Sequence, residues 1–193
     1  RMWVALNVGG TEVSEFDEQL DGLIQAGYRL FVTFWSEPEA LDAFLEDFAR
    51  QQFVRRIRDP RLGAAPMAYQ LYRAAPGRGL VQVGSDGGTV TVVPWASVAP
   101  DPRWDALQLM AFNAISVFDQ VAKLRGDGRI PVVQVCGMDW WSFLPEVSRY
   151  LRDCRDASRG GPVVFVTEST PLLMPEELSR AFSVLRYPPP TPA

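Results

Sequence analysis

The sequence contains no histidine, and Lys123 is the only lysine among its 19 basic residues, so the other 18 are arginine. Without histidine, the chain cannot form a Ser-His-Asp or Cys-His catalytic group, an HExxH metal site or a histidine proton shuttle. Lys123 lies between Ala122 and Leu124, outside any GK[ST] phosphate-binding sequence. These absences exclude several common forms of catalysis before any motif is considered.

The chain also lacks a positive net charge, a cysteine framework and a long apolar run. Its net charge is −4, whereas nucleic-acid-binding domains usually present a basic field. The two cysteines, Cys136 and Cys154, form no CxxC pair, which argues against a zinc site and favours a reducing compartment. No apolar run approaches the roughly 20 residues of a membrane span, and no signal peptide is visible.

The first residue is Arg1 and not methionine, which indicates a processed protein or a segment of a longer chain. Processing fits import into an organelle. We therefore expect the chain in a reducing interior compartment, either the mitochondrial matrix or the cytoplasm.

A local basic strip stands out against the acidic net charge. It consists of Arg55, Arg56, Arg58 and Arg61. Such a strip is either a solvated, partner-facing surface or an RNA contact, and the charge of the whole chain favours the first interpretation.

Apolar runs alternate with segments of helical periodicity along most of the chain. The runs predict strands at 2–8, 28–35, 130–136, 162–167 and 182–187. Between them, apolar spacing predicts a helix that begins near Thr11 or Ser14 and ends at Gly27, a helix capped by Ser36, and helices at 101–125, 142–155 and 172–181. We expect the long helix at 101–125 to be buried on more than one side.

The middle of the chain is less regular. We expect a short strand at 53–57 and a helix at 66–74, which Pro76-Gly77 would end. Two short strands at 80–83 and 89–93 flank the glycine-rich stretch 84–88, and this spacing predicts a β-hairpin. The stretch does not open a helix, so a hairpin turn is favoured over a phosphate-binding loop.

The pattern predicts an α/β fold, with a mostly parallel sheet flanked by helices and a small β-hairpin insertion. No internal repeat or long linker divides the chain, so we expect a single domain over 1–187. The remaining residues, 188–193, form an extended proline-rich tail.

Polar residues follow several of the predicted strands, where open α/β sheets bind ligands. Asp139 and Glu168 follow two strands that are successive in the sequence, and they could hold Mg²⁺ or serve as acid and base. The alternative is that they cap the helices that follow. Cys136 lies in a buried strand without a base, which argues against a nucleophile.

Trp140 and Trp141 form an adjacent pair of tryptophans. Paired tryptophans can stack on a base or form a partner surface. Because adjacent side chains point in different directions, we expect one in the core and one at an interface. Both remain candidate partner contacts, together with Arg55, Arg56 and Arg58.

The second half of the chain resembles AAA+ and related P-loop ATPases over about residues 115–190. The strand at 130–136 followed by Asp139 resembles a Walker B strand, and the strand at 162–167 followed by Glu168-Ser169-Thr170 resembles a sensor-1 strand. The segment 174–182, Met-Pro-Glu-Glu-Leu-Ser-Arg-Ala-Phe, followed by a strand and a proline-rich exit, is similar to a conserved stretch of those enzymes. The likeness is one of layout more than of strict motif.

This resemblance implies a set of nucleotide-binding positions, which are Gly9, Gly10, Thr11, Asp139, Thr167, Glu168 and Arg180. Arg180 would correspond to an arginine finger, although an exposed helix arginine is the commoner role. Two departures matter: Trp140 replaces the second acidic residue of the Walker B pair, and the segment 8–14 has neither the P-loop lysine nor its spacing. Glu12 in that segment would repel a triphosphate.

Two function classes follow from these observations. The first hypothesis is a non-catalytic, P-loop-like domain that needs no cofactor and contacts other protein subunits in a protein or ribonucleoprotein assembly. The second is a nucleotide-binding module or NTPase that uses Asp139 and Glu168 around Mg²⁺ with ATP or GTP. A weaker third hypothesis is RNA contact through 55–61.

Overall fold

The strands join in one twisted sheet with helices on both faces, which confirms the predicted α/β class. A computed structural model describes residues 3–4, 13–34, 42–49, 68–84, 86–126, 128–136, 141, 144–157, 161–168 and 176–186. Within these residues the strands are β1 (Trp3–Val4), β2 (Leu30–Phe34), β3 (Ala68–Ala75), β4 (Gly79–Val83), β5 (Thr89–Val93), β6 (Arg129–Cys136), β7 (Val163–Glu168) and β8 (Ser183–Arg186). The helices are α1 (Val13–Gln25), α2 (42–49), α3 (Ala106–Lys123), α4 (Pro145–Asp156) and α5 (Glu176–Ser179).

The sheet order, in the described part of the chain, is β1-β8-β2-β7-β6-β3-β4-β5. The first six strands in this order, β1, β8, β2, β7, β6 and β3, are parallel to one another. Strand β4 pairs antiparallel with both β3 and β5. The hairpin of β4 and β5 is confirmed: the amide of Gly84 donates to the carbonyl of Gly88 across its turn. It continues the sheet beyond β3, so that β5 becomes an edge strand.

The two faces of the sheet carry different helices. On one face, Leu20 and Ile24 of α1 and Leu45 and Phe48 of α2 pack over Phe31 and its neighbours. On the other face, α3, α4 and α5 bury a second apolar layer over β2, β3, β6 and β7. Because helices cover both faces, the central strands carry apolar residues on each face, as their continuous apolar runs predict.

One predicted helix is wrong. Residues 68–75 form the strand β3, where the sequence pattern predicts a helix at 66–74. Tyr69 and Leu71 pack on the α1–α2 side, and Tyr72 and Ala74 pack on the opposite side. With apolar residues needed on both faces, the period of two is hidden, and the run resembles a short buried helix.

Helix α3 also differs from its prediction. It begins at Ala106 and not at residue 101, because Asp105 is its N-cap and forms a reciprocal capping box with Gln108. Its buried residues lie along one stripe, whereas Leu107 and Phe112 are exposed. The helix is therefore buried on one side and not on several.

Helix α1 ends at Gln25, and Gly27 closes it, as predicted. Gly27 has a φ of 103°, and the amides of Gly27 and Tyr28 donate to the carbonyls of Ile24 and Leu23. This is a Schellman ending, which needs a left-handed residue and so favours glycine. It leads the chain directly into β2. None of the helices in the described ranges is both long and apolar enough to span a bilayer.

Candidate functional site

A crevice is expected where β2 and β7 lie side by side. The strands are parallel neighbours, but the helices that follow them lie on opposite faces: α2 packs with Phe31 and Phe165, and α5 packs with Val164 and Val166. In open α/β sheets, ligands bind at such a switch point, beyond the carboxyl ends of the strands. Topology therefore directs the search to the ends of β2 and β7.

Two predicted residues lie at this switch point. Thr167 and Glu168 are the last residues of β7, in register with Thr33 and Phe34 of β2. Thr167 is also in register with Cys136, the last residue of β6. The strand ends thus bring together the positions that the resemblance assigns to the sensor-1 strand and the end of the Walker B strand. Asp139 follows β6 but lies outside the described residues.

The hydroxyl of Thr33 is a buried polar group without a hydrogen-bond partner in the described part of the chain. Buried hydroxyls are nearly always paired, so an unpaired one needs an explanation. Its position next to Thr167 places it at the switch point. A neutral hydroxyl can donate one hydrogen bond and accept others, but it supplies no charge.

The glycines that resemble a degenerate P-loop follow β1 in the sequence. Gly9, Gly10 and Thr11 lie outside the described residues, but the strand before them, β1, is separated from β7 by β8 and β2. The helix that begins beyond the switch point is α2, joined to β2 by residues 35–41. A helix N-terminus in that place is where a phosphate would be bound.

Arg180 lies at the opposite edge of the sheet. It precedes β8, whose first residue, Ser183, is in register with Phe31 near the start of β2. Because the strands are parallel, Arg180 stands at their amino ends, whereas Glu168 stands at their carboxyl ends. The structure thus does not bring Arg180 together with Thr167 and Glu168. Its guanidinium donates to Glu176 on the helix surface.

A polar network that the sequence pattern does not predict fastens α2 to the sheet. Gln134 on β6 is only 1% exposed, and its amide donates to Asp42. Arg73 on β3 donates from Nε to the side-chain oxygen of Gln134 at 3.1 Å and from its terminal nitrogen to Glu46 at 2.8 Å. Arg73 and Gln134 are directly in register. Two α2 carboxylates are therefore held against one arginine near the carboxyl ends of β3 and β6.

Trp141 is completely buried, so it offers no surface to a partner. Its ring stacks on Trp95 at a centroid distance of 5.9 Å and meets Phe118 edge-on at 5.5 Å. This contact confirms that one member of the tryptophan pair faces the core. Trp140 and the strip Arg55, Arg56, Arg58 and Arg61 lie outside the described residues.

No family model matches the chain, and a search of curated proteins finds no match either. Function is therefore inferred from the residues and their geometry alone.

The described side chains near the carboxyl edge include the hydroxyl of Thr33, the carboxylates of Asp42 and Glu46 and the guanidinium of Arg73. Among the described residues, no three histidine, cysteine, aspartate or glutamate side chains converge in a way that could hold a metal ion. Arg73, the cation of the described network, is already bonded to Asp42 and Glu46. In the described part of this edge, the arginine is thus already paired and the remaining charge is negative, which does not favour the binding of a polyphosphate.

Proposed function

We propose that this chain is a non-catalytic α/β domain, similar to a degenerate P-loop fold, that serves as a structural subunit of a larger protein or ribonucleoprotein assembly. The layout of the strands is compatible with this resemblance, since β6 and β7 are neighbours and β2 lies beside β7. A reducing compartment, the mitochondrial matrix or the cytoplasm, remains our expectation for its location.

The observation that carries the proposal is the chemistry of the segment that joins β2 to α2. Residues 35–41 read Trp-Ser-Glu-Pro-Glu-Ala-Leu, with two glutamates and no glycine, lysine or arginine. Asp42 and Glu46 follow in α2, and Glu168 ends the neighbouring strand. A triphosphate needs backbone amides in a glycine-rich loop and a cation, whereas these carboxylates would repel it.

Titration calorimetry tests the lack of nucleotide binding. We expect no saturable heat with ATP or GTP up to about 1 mM, with or without Mg²⁺, which would put any Kd above that limit and the binding free energy above about −4 kcal/mol. The rival function is a Mg²⁺-dependent nucleotide module, favoured by the unpaired hydroxyl of Thr33. Micromolar binding that Asp139→Ala or Glu168→Gln abolishes would establish the rival and overturn our proposal.

Exposed apolar side chains support a role in assembly. Those in the described ranges fall on the edge strand β5, the segment after it and α3, at Val90, Val98, Leu107 and Phe112. Strand β5 has no charged residue and no proline, the features that usually protect a sheet edge from pairing with another chain. Apolar side chains and an unprotected edge are typical of a protein interface.

A pair of charge substitutions on α3 tests assembly. Leu107 is 72% exposed, so Leu107→Glu should shift the tagged chain from large complexes of a native extract towards the monomer on size exclusion. Gln108→Glu adds the same charge one residue away and keeps the capping box, because a glutamate accepts the same backbone hydrogen bond. A wild-type chain that stays a stable monomer in the extract, or equal behaviour of both variants, would contradict this interface.

A further inference from the structure

A cleft of about 470 Å³ opens at the amino edge of the sheet, opposite the switch point. Three arginines line it: Arg29, just before β2; Arg155, in the last turn of α4; and Arg180, just after α5. All three line the cleft because β2 and β8 begin next to each other and both helices end at that edge. Nothing in the proposed structural role requires this cluster of cations in a chain of net charge −4.

Arg29 is the fixed member of the group. It is only 4% exposed, and its terminal nitrogen Nη1 donates to the carbonyls of Ile24 at 2.8 Å and Tyr28 at 3.3 Å. Its Nε is buried without a hydrogen-bond partner, and no ion pair joins it to a carboxylate of the described residues. Burial accordingly lowers the pKa of Arg29.

A buried cation without a carboxylate is costly to keep in a fold. The two carbonyls at the end of α1 offset part of this cost, because helix carboxyl ends attract cations. They leave Nε unsatisfied, so the end of α1 alone does not explain the residue. An anion in the cleft beside Arg29 would supply the missing charge.

Arg155 and Arg180 are the adjustable members. Each pairs with a carboxylate on its own helix, Asp156 and Glu176, and both pairs are largely exposed. Exposed pairs of this kind contribute little stability. Either guanidinium can therefore turn from its carboxylate to a ligand in the cleft at small cost.

We propose that this cleft binds the phosphate group of a small molecule. A phosphate offers three or four oxygen acceptors and close to two negative charges, which matches several planar guanidinium donors, whereas one carboxylate is satisfied by one arginine. The volume lies within the range of small-molecule sites. The proposal is independent of the structural role, since the cleft lies at the opposite edge from the acidic switch point.

Calorimetric titration with inorganic phosphate, at constant ionic strength, tests the site on the wild-type chain. We expect saturable binding of phosphate to the folded wild-type protein. The affinity should be at least about tenfold weaker in the double variant Arg155→Gln/Arg180→Gln, which corresponds to the loss of roughly one hydrogen bond between charged groups. The matched control is Arg103→Gln. Arg103 forms a surface ion pair with Asp101 outside the cleft, and its side chain is 88% exposed. The phosphate affinity of the Arg103→Gln variant should therefore equal that of the wild-type chain.

Parallel titrations with acetate and citrate identify the class of oxyanion. Phosphate bound more tightly than either carboxylate supports the proposal, and tighter citrate or acetate binding overturns it. No phosphate binding, or equal weakening by Arg103→Gln, also overturns it, since the effect would then be one of general charge. Arg29→Gln should abolish binding in a chain whose circular dichroism remains native; if that variant does not fold, the double variant decides.

Discussion

The two edges of the sheet each hold an arginine inside the protein, but they balance its charge in different ways. At the carboxyl edge, Arg73 is bonded to Glu46 and Gln134, with Asp42 close by. At the amino edge, Arg29 bonds only to carbonyl oxygens within the described part of the chain. The arginine at one edge is paired with carboxylates, whereas the arginine at the other edge has no carboxylate partner among the described residues.

This difference shows that the position of a crevice and the charge of the ligand that would fit the protein are set by different features. Topology puts the crevice at the carboxyl ends of β2 and β7, but the described side chains near it are a neutral hydroxyl, Thr33, and an arginine, Arg73, that is already paired. Charge instead directs an anion to the amino edge. A fold can thus keep the shape of a ligand-binding sheet while its electrostatics favour the opposite end.

The largest expected effect on the free energy of unfolding comes from substitution of Trp141, near the carboxyl edge. It fills the core just after the segment that follows β6, between Trp95 and Phe118. Because a fully buried tryptophan leaves a large cavity, Trp141→Ala should lower the free energy of unfolding by about 3–5 kcal/mol in urea denaturation. Trp104→Ala is the control, since Trp104 is half-buried against Phe112. Similar losses in both variants would show that Trp141 is no special anchor.

The two arginines provide the next test, by direct comparison. Arg73→Met leaves Glu46 and the side-chain oxygen of Gln134 without their arginine partner, whereas Asp42 keeps its hydrogen bond from Gln134. Because Glu46 and Asp42 are 31% and 43% exposed, we expect a loss of about 2 kcal/mol, less than for a fully buried pair. Arg29→Met removes two hydrogen bonds but also an uncompensated buried charge, so it should cost about 1 kcal/mol or less. A larger loss for Arg29 in urea denaturation would contradict the charge comparison.

Much of the fold could be predicted from the sequence because most elements have a clear period. The continuous apolar runs of β2, β6 and β7, the stripe of α2 and the glycine end of α1 agree with the structure. Strand β3 could not be recognised, because its two buried faces conceal the period of two. The exposure of Leu107 was not predicted either, since the apolar residues of α3 outnumber those that one buried stripe needs.

The candidate site was harder to predict for a different reason. Thr167 and Glu168 could be placed at a strand end from the pattern alone, and their register with β2 agrees with that position. The pairing of β2 with β8 is a non-local contact, so the meeting of Arg29 with Arg180 is not visible in the sequence. One signal was available: a residue that precedes a parallel strand lies at the amino edge, which separates Arg180 from Glu168.

The two cysteines lie towards different edges and differ in burial, which allows the edges to be compared through the effect of pH on stability. Cys136 ends β6 at the carboxyl edge and is partly exposed, whereas Cys154 lies near the end of α4 towards the amino edge and is buried. Burial, and then the charge of Asp153, raises the pKa of Cys154 to about 12 from its ordinary value of 9.0. The folded protein therefore keeps a proton that the unfolded chain releases above about pH 9.

The pH dependence of unfolding measures this effect, which is the smallest of the three. The neutral thiol contributes fully below pH 9, and stability falls as the pH rises from about 9 towards about 12. The slope from this group approaches about 1.4 kcal/mol per pH unit. Urea unfolding at pH 8 and pH 10 should show a steeper loss for the wild-type chain than for Cys154→Ala, because the variant lacks the thiol. Cys136→Ala serves as the control and should keep the wild-type slope. Equal slopes for the wild-type chain and Cys154→Ala would contradict the prediction, because the thiol of Cys154 would then ionise as readily in the folded protein as in the unfolded chain.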